Sequence, residues 1–114
     1  MNNLKFFRSL FFILITSPLF SQLSSDECLE QLSIFAESAK IKNYQAAYEP
    51  WKTVLDNCPT LNVATYQYGE LILKDFIEKS TTEEEKTKYL TDLLSLYDQW
   101  LENFPIRKGV RQEG

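Results

Sequence analysis

From residue 28 onward, apolar residues recur at intervals of three and four, which is the period of an α-helix with one face against a core. A first stripe runs from Cys28 to Ala39, and Asp26 lies where it could cap the helix start. A polar break at Lys42-Asn43 precedes a second stripe from Tyr44 to Cys58. Pro59 ends this stripe because a proline cannot continue a helix.

A second pair of helices follows in the same way. Apolar residues from Leu61 to Phe76 predict a third helix over about residues 61–79. In the following "STTEEEK", Thr81 with Glu84 or Thr82 with Glu85 has the spacing of a capping box. The acidic run Glu83-Glu84-Glu85 could bind a cation, but acids favour the first turn of a helix, and we interpret it as such a turn. The fourth helix carries Leu90, Leu93, Leu94, Tyr97, Trp100, Leu101 and Phe104 to a second stop at Pro105.

The predicted fold is all-α, because alternating apolar and polar residues never persist as a strand requires. Short links make neighbouring helices antiparallel, so we expect two stacked helical hairpins at about residues 26–59 and 61–105, followed by a polar tail at 106–114. The repeated "LDNCP" and "LENFP" then each end the second helix of a hairpin. Pro50 lies inside the second helix and removes one backbone hydrogen bond, so we expect a bend there.

Residues 1–21 have the order of a secretory signal peptide. Lys5 and Arg8 precede an apolar run at residues 10–15, which leads into small residues ending at Ser21. A membrane-spanning helix needs about 20 apolar residues, so an uncleaved anchor is the less favoured alternative. We therefore expect a helical module at residues 22–105 that is exported to the periplasm, the cell envelope or the medium. No cysteine follows the predicted cleavage site to carry a lipid.

The segment "KNYQAAYEPWKTVLDNCP" resembles a tetratricopeptide repeat, in which small residues allow helix contact and aromatic residues fill the space between layers. Tyr68-Gly69 resembles the family's pair of a large and a small residue, where glycine lets helices approach closely. Phe35 and Leu93 depart from the family by replacing small residues, and Pro59 and Pro105 are 46 residues apart, against a repeat of about 34. The matching positions are Lys42, Asn43, Tyr44, Ala47, Trp51, Val54 and Pro59.

As a whole, the chain resembles tetratricopeptide-like secreted proteins of the Bacteroidota, whose signal peptides end in sequences similar to "LFSQ". Such proteins commonly continue through many repeats, so the resemblance implies that this chain could be the amino-terminal portion of a longer one. The resemblance also implies a groove that binds a protein or peptide, and each residue expected there can equally be an ordinary surface residue. The expected groove residues are Ala36, Lys40, Tyr66, Glu70 and Lys74.

The two cysteines lie at the start of the first predicted helix and the end of the second. These two ends are neighbours in an antiparallel hairpin, and an exported chain meets oxidising conditions. A disulfide between Cys28 and Cys58 is therefore one interpretation. Two buried free thiols are the other.

Composition argues against several kinds of function. The chain has no histidine, so the commonest general base and metal ligand is missing, and it has no glycine-rich phosphate loop. Without Lys5 and Arg8 it has 10 basic and 16 acidic residues, a balance that repels nucleic acid. We expect no enzyme activity, no cofactor, no bound metal and no nucleic-acid partner.

A two-hairpin stack leaves an apolar flank on the outer side of its last helix, and the tail at 106–114 has no apolar stripe to cover it. More chain, a second copy or another protein must then do so. We expect a non-enzymatic scaffold for protein–protein interaction, with a homo-oligomer as one form. The alternative is an accessory module for carbohydrate or nutrient uptake at the outer membrane, which calls for exposed aromatic rings. Trp51 and Trp100 instead fall on predicted core faces.

Overall fold

The computed structural model describes residues 23–105. The predicted signal peptide and the tail at 106–114 lie outside the described residues. Within the described range the protein is all-α, and α1 packs along α2 while α3 packs along α4, so the predicted fold of helical hairpins is confirmed. No helix among these residues has the combination of length and apolar character needed to cross a membrane. The helices are α1 (Ser25–Lys40), α2 (Tyr44–Asn57), α3 (Ala64–Lys79) and α4 (Glu83–Asn103).

The start of α1 differs from the prediction, because Ser24 rather than Asp26 is its N-cap. The backbone N–H of Glu27 donates to Ser24 Oγ at 3.2 Å, and the Ser24 N–H donates to Glu27 Oε1 at 2.9 Å. This reciprocal pair satisfies two amides of the first turn. Asp26 lies inside that turn, where a negative charge favours the helix start without capping it.

The start of α4 uses the second of the two predicted pairs. Thr82 is the N-cap, and its hydroxyl accepts from the Glu85 N–H at 3.1 Å. The Glu85 carboxylate accepts from the N–H of Thr81 at 3.1 Å, one residue before the cap. The acids at residues 83–85 occupy the first turn, as predicted.

Helix α3 begins at Ala64, three residues later than predicted from the apolar pattern. Its start is delayed because the Leu61 N–H donates back to the Cys58 carbonyl at 3.1 Å, and the Ala64 N–H donates to Asn62 Oδ1 at 2.8 Å. Pro50 lies inside α2, as predicted, and the helix continues through it without interruption. The bend expected at Pro50 stays a prediction.

The two hairpins meet where the Trp51 indole packs on Gly69. Trp51 is 2% exposed, and its Nε1–H donates to the Thr65 carbonyl oxygen at 2.8 Å. A Cβ atom added to Gly69 would lie 2.5 Å from Trp51 Nε1, which is closer than any real contact allows. Gly69 therefore permits the close approach of α2 and α3, as the sequence predicted.

Aromatic contacts join α3 to each of the other helices. Phe35 of α1 meets Tyr68 edge to face, with ring centroids 6.1 Å apart. On the other sides of α3, Tyr48 of α2 stacks on Phe76 at 5.1 Å, and Tyr66 stacks on Trp100 of α4 at 6.0 Å. Pairs with these geometries contribute about 0.5–1.5 kcal/mol beyond the area that they bury. Phe35, which departs from the repeat pattern, thus serves as a core residue.

A disulfide joins the start of α1 to the residue that follows α2. The structure bonds Cys28 to Cys58 across a Cα–Cα distance of 6.5 Å, so it has the bridge rather than the two free thiols. The bonded residues are 30 positions apart. A closed loop of that length stabilises a fold by about 3–4 kcal/mol in the chain-entropy model.

Replacing both cysteines, as Cys28→Ala with Cys58→Ala, should lower the free energy of unfolding by about 2–4 kcal/mol, because the unfolded chain regains the freedom of the loop. Urea denaturation of the oxidised protein and the variant measures this difference. Thiol titration of the denatured, unreduced protein is the control, and finding two reactive thiols there would contradict the bridge.

Gly69→Ala should destabilise the protein by about 1–3 kcal/mol through overpacking against Trp51, although alanine ordinarily favours a helix by about 1 kcal/mol over glycine. Thermal or urea denaturation measures the change, and Glu78→Ala, on an exposed position of the same helix, is the control. Combining Gly69→Ala with Trp51→Phe should cost less than the sum of the two single losses. A Gly69→Ala protein as stable as the wild type would show that α2 and α3 do not meet here.

Candidate functional site

Tyr66, one of the five residues expected in a partner groove, is not on the surface. Its side chain is fully buried on the inner face of α3. The Tyr66 hydroxyl donates to the Pro59 carbonyl at 2.7 Å and accepts from Asn103 Nδ2 at 2.8 Å. Burial raises the pKa of this phenol, which is consistent with a core position. The groove position expected for Tyr66 is therefore corrected to a structural role at the junction of α3 and α4.

The remaining four groove residues fall into two separate pairs. Glu70 and Lys74 form an ion pair on α3, with Lys74 Nζ 3.3 Å from Glu70 Oε2. On α1, Ala36 is half-buried against the core and Lys40 is exposed. Among the described residues, no hydrogen bond or ion pair joins the α1 residues to the α3 pair. The geometry brings Glu70 and Lys74 together and does not build one groove from all four residues.

Helix α4 also contacts α3 at the Glu70–Lys74 pair. The Tyr97 hydroxyl of α4 donates to Glu70 Oε2 at 2.5 Å. This hydrogen bond, with burial and the negative charge of Glu70 as smaller causes, raises the pKa of Tyr97 to about 12. Sequence reasoning missed the contact, because Glu70 and Tyr97 are 27 residues apart and no local pattern links them.

Helix α4 carries two apolar stripes rather than one. Its inner stripe faces α3 and the core through Leu93, which is 7% exposed, and Leu96, which is 1% exposed. We name the row Leu90, Leu94 and Leu101 the outer stripe; these leucines are 43%, 63% and 55% exposed. Together with Tyr97, the outer stripe has successive spacings of four, three and four, which is the spacing of a coiled-coil seam.

The other exposed large apolar residues form no comparable row. Leu71 is the one such residue on α3, Leu29 and Ile34 lie on α1, and Ile41 follows the end of α1. Single apolar residues on a surface are ordinary. The outer stripe differs because its three leucines lie within 40° of one another around the helix axis, at about 100° of rotation per residue.

Asp98 and Glu102 border the outer stripe on the side away from α3, and Glu84 lies on the same flank about 9 Å before Leu90. All three are exposed, and at 3.6 residues per turn they project from the flank of α4 opposite the one that carries Tyr97 toward Glu70. None of the three forms an ion pair within residues 23–105, whereas Asp92 on the same helix is paired with Lys88 at 2.8 Å. Within the described residues, this flank therefore has unpaired negative charge beside an apolar row.

A small cleft lies between α2 and α4. Its volume is about 60 Å³, and it is lined by Tyr48, Trp51, Lys52, Leu55, Asp92, Ser95 and Gln99. The charged groups at this cleft are already paired, Lys52 with Asp56 at 2.9 Å and Asp92 with Lys88 at 2.8 Å. Within the described part of the chain, no group of three or more acidic or cysteine side chains is placed to hold a metal ion. The outer stripe with its acidic border is consequently the stronger candidate site.

Comparison of the chain with protein-family models, with curated proteins and with solved structures finds no match in any of the three. The resemblance to tetratricopeptide proteins, carried by the sequence motifs, therefore stays a prediction.

The Tyr97 phenol should ionise near pH 12, well above the pKa of about 10 of a free tyrosine side chain. Because the pKa is raised on folding, the stabilisation by this hydrogen bond is fully present below about pH 10 and is lost as the pH rises through about 12. Absorbance titration of tyrosinate in the wild type and in Tyr97→Phe measures the late-ionising group.

Glu70→Gln is the matched variant, since it keeps the shape of the acceptor and removes its charge. The late ionisation should move toward pH 10 in this variant. A wild-type titration with no component that Tyr97→Phe removes above pH 11 would contradict the contact between α3 and α4.

Proposed function

We propose that the protein is an exported, non-enzymatic scaffold that binds another protein along the outer stripe of α4. The observation that carries this proposal is the presence of two apolar stripes on one helix, of which the protein's own fold covers the inner one. A helix that is apolar on two sides normally lies between two neighbours. In the described residues α4 packs along α3 and borders a small cleft with α2, and the outer stripe stays exposed.

The energetics support a partner whose contact extends beyond the leucines. Fully burying one leucine contributes about 1.5–3 kcal/mol, so covering the exposed parts of the three leucines contributes roughly 2–5 kcal/mol. A millimolar dissociation constant already corresponds to a net free energy of about 4 kcal/mol, and association also costs translational and rotational freedom. The partner must therefore also contact the rim of the outer stripe.

Export is supported by two features of the chain. The first 21 residues have the order of a signal peptide, and the Cys28–Cys58 disulfide suits an oxidising compartment. The proposal assigns no chemistry to the protein, because a chain without histidine lacks the commonest general base, and its one described cleft has its charges paired.

The carbohydrate-uptake alternative has less support. Binding of sugars uses exposed aromatic rings, but Trp51 is buried and the Trp100 ring stacks on Tyr66. Among the described residues, no specific observation favours this alternative over protein binding.

A photo-reactive amino acid at position 94 should cross-link one reproducible protein of the cell envelope. The same group at position 41 should not, although Ile41 is the more exposed, at 74% against 63% for Leu94. Position 41 is the control, because non-specific labelling would be at least as strong at this more exposed position. Mass spectrometry of the cross-linked products identifies the partner. Equal labelling from both positions, or products that contain only copies of this chain, would contradict the scaffold function.

A further inference from the structure

We infer that the partner docks on α4 as an amphipathic helix whose apolar row is bordered by lysine or arginine. This inference rests on the proposed function and adds the chemistry of the partner. It has two grounds: the spacing of the outer stripe, and the unpaired acids beside it.

The spacing of the outer stripe selects a helix as the occupant. Leu90, Leu94, Tyr97 and Leu101 follow the intervals at which one helix packs lengthwise on another. The row from Leu90 to Leu101 is about 16 Å long at 1.5 Å per residue, so a partner helix of three turns covers it. Recognition of an apolar helix face by such a row is a common mode of peptide binding.

The acidic border selects the charge of the partner. Asp98 and Glu102 are exposed on one side of the row, Glu84 lies on the same flank before its first leucine, and none of the three has an ion-pair partner within residues 23–105. On the other side, Lys74 is already paired with Glu70 at 3.3 Å. Basic residues on the border of a docked helix would compensate the acids, whereas acidic residues there would be repelled.

A second copy of this chain would give the acids no free cation. In an antiparallel pair of α4 helices centred on the row, Asp98 and Glu102 of one copy would lie opposite residues 89–93 of the other, and the lysine beside that stretch, Lys88, is already paired with Asp92 at 2.8 Å. A different chain with a basic border supplies the missing cations.

The test uses the purified, oxidised protein and two synthetic helical peptides. Both peptides carry leucines at spacings of four, three and four; one has lysines beside the leucine row, and the other has glutamates. Fluorescence anisotropy at low salt should show at least about tenfold tighter binding of the lysine peptide, and added salt should reduce the difference. Equal binding of the two peptides would overturn the inference while leaving the proposed function standing.

Two variants separate the site from the general acidity of the protein. Leu94→Glu makes the protein more acidic, yet it should abolish binding of the lysine peptide because it interrupts the apolar row. The double variant Asp98→Lys with Glu102→Lys should weaken that binding about tenfold. Its control, Glu30→Lys with Glu49→Lys, changes net charge equally at exposed positions away from α4 and should have little effect.

The remaining outcomes are also decisive. If both double variants weaken binding equally, the attraction is not local to α4 and the inference fails. If neither peptide binds, the inference fails. If the protein then also sediments as a dimer that Leu94→Glu dissociates, the occupant is a second copy, and the scaffold function fails as well. Circular dichroism of each variant verifies its fold, which a substitution at an exposed position should preserve.

Discussion

The contact between the Trp51 indole and the bare backbone of Gly69 sets the arrangement on which the rest of the structure depends. It brings α2 against α3, and the hydrogen bond from Trp51 to the Thr65 carbonyl fixes the ring in place. With the two helices at this distance, Tyr48 can stack on Phe76, and Phe76 in turn meets Tyr89 of α4 at 5.2 Å. The inner stripe of α4 is thereby buried in the core. The outer stripe then faces away from α3 and from the core.

The sequence predicted the helices and their order, because each helix has a long apolar stripe and the second helix of each hairpin ends before a proline. It predicted the starts less well. Ser24 and Asp26 can both cap a helix, and the signal that selects Ser24 is its capping-box spacing with Glu27, the same spacing as Thr82 with Glu85. At α3, the turn held by Asn62 delays the helix although Leu61 continues the apolar period. Helix starts depend on single side-chain hydrogen bonds, which periodicity does not reveal.

The candidate site was harder to predict than the fold for a related reason. Leu93 and Leu94 are adjacent in the sequence, yet one is 7% and the other 63% exposed. An apolar pattern records that both are hydrophobic and cannot tell which one faces the chain's own core. Tyr66 shows the converse, since the resemblance to tetratricopeptide repeats implied a groove position while Pro59 and Asn103 satisfy its hydroxyl inside the protein. Such assignments require the packing of α3 on α4.

The central claim is that the outer stripe of α4 is open in the free protein and available to a partner. Paramagnetic relaxation of leucine methyl groups by a soluble, neutral probe tests it most directly, over a range of protein concentrations. The account predicts strong relaxation at Leu90, Leu94 and Leu101 and little at Leu93 and Leu96 at every concentration. Methyl groups of Leu90, Leu94 and Leu101 that are as protected as those of Leu96 would contradict it, because the row would then already be covered.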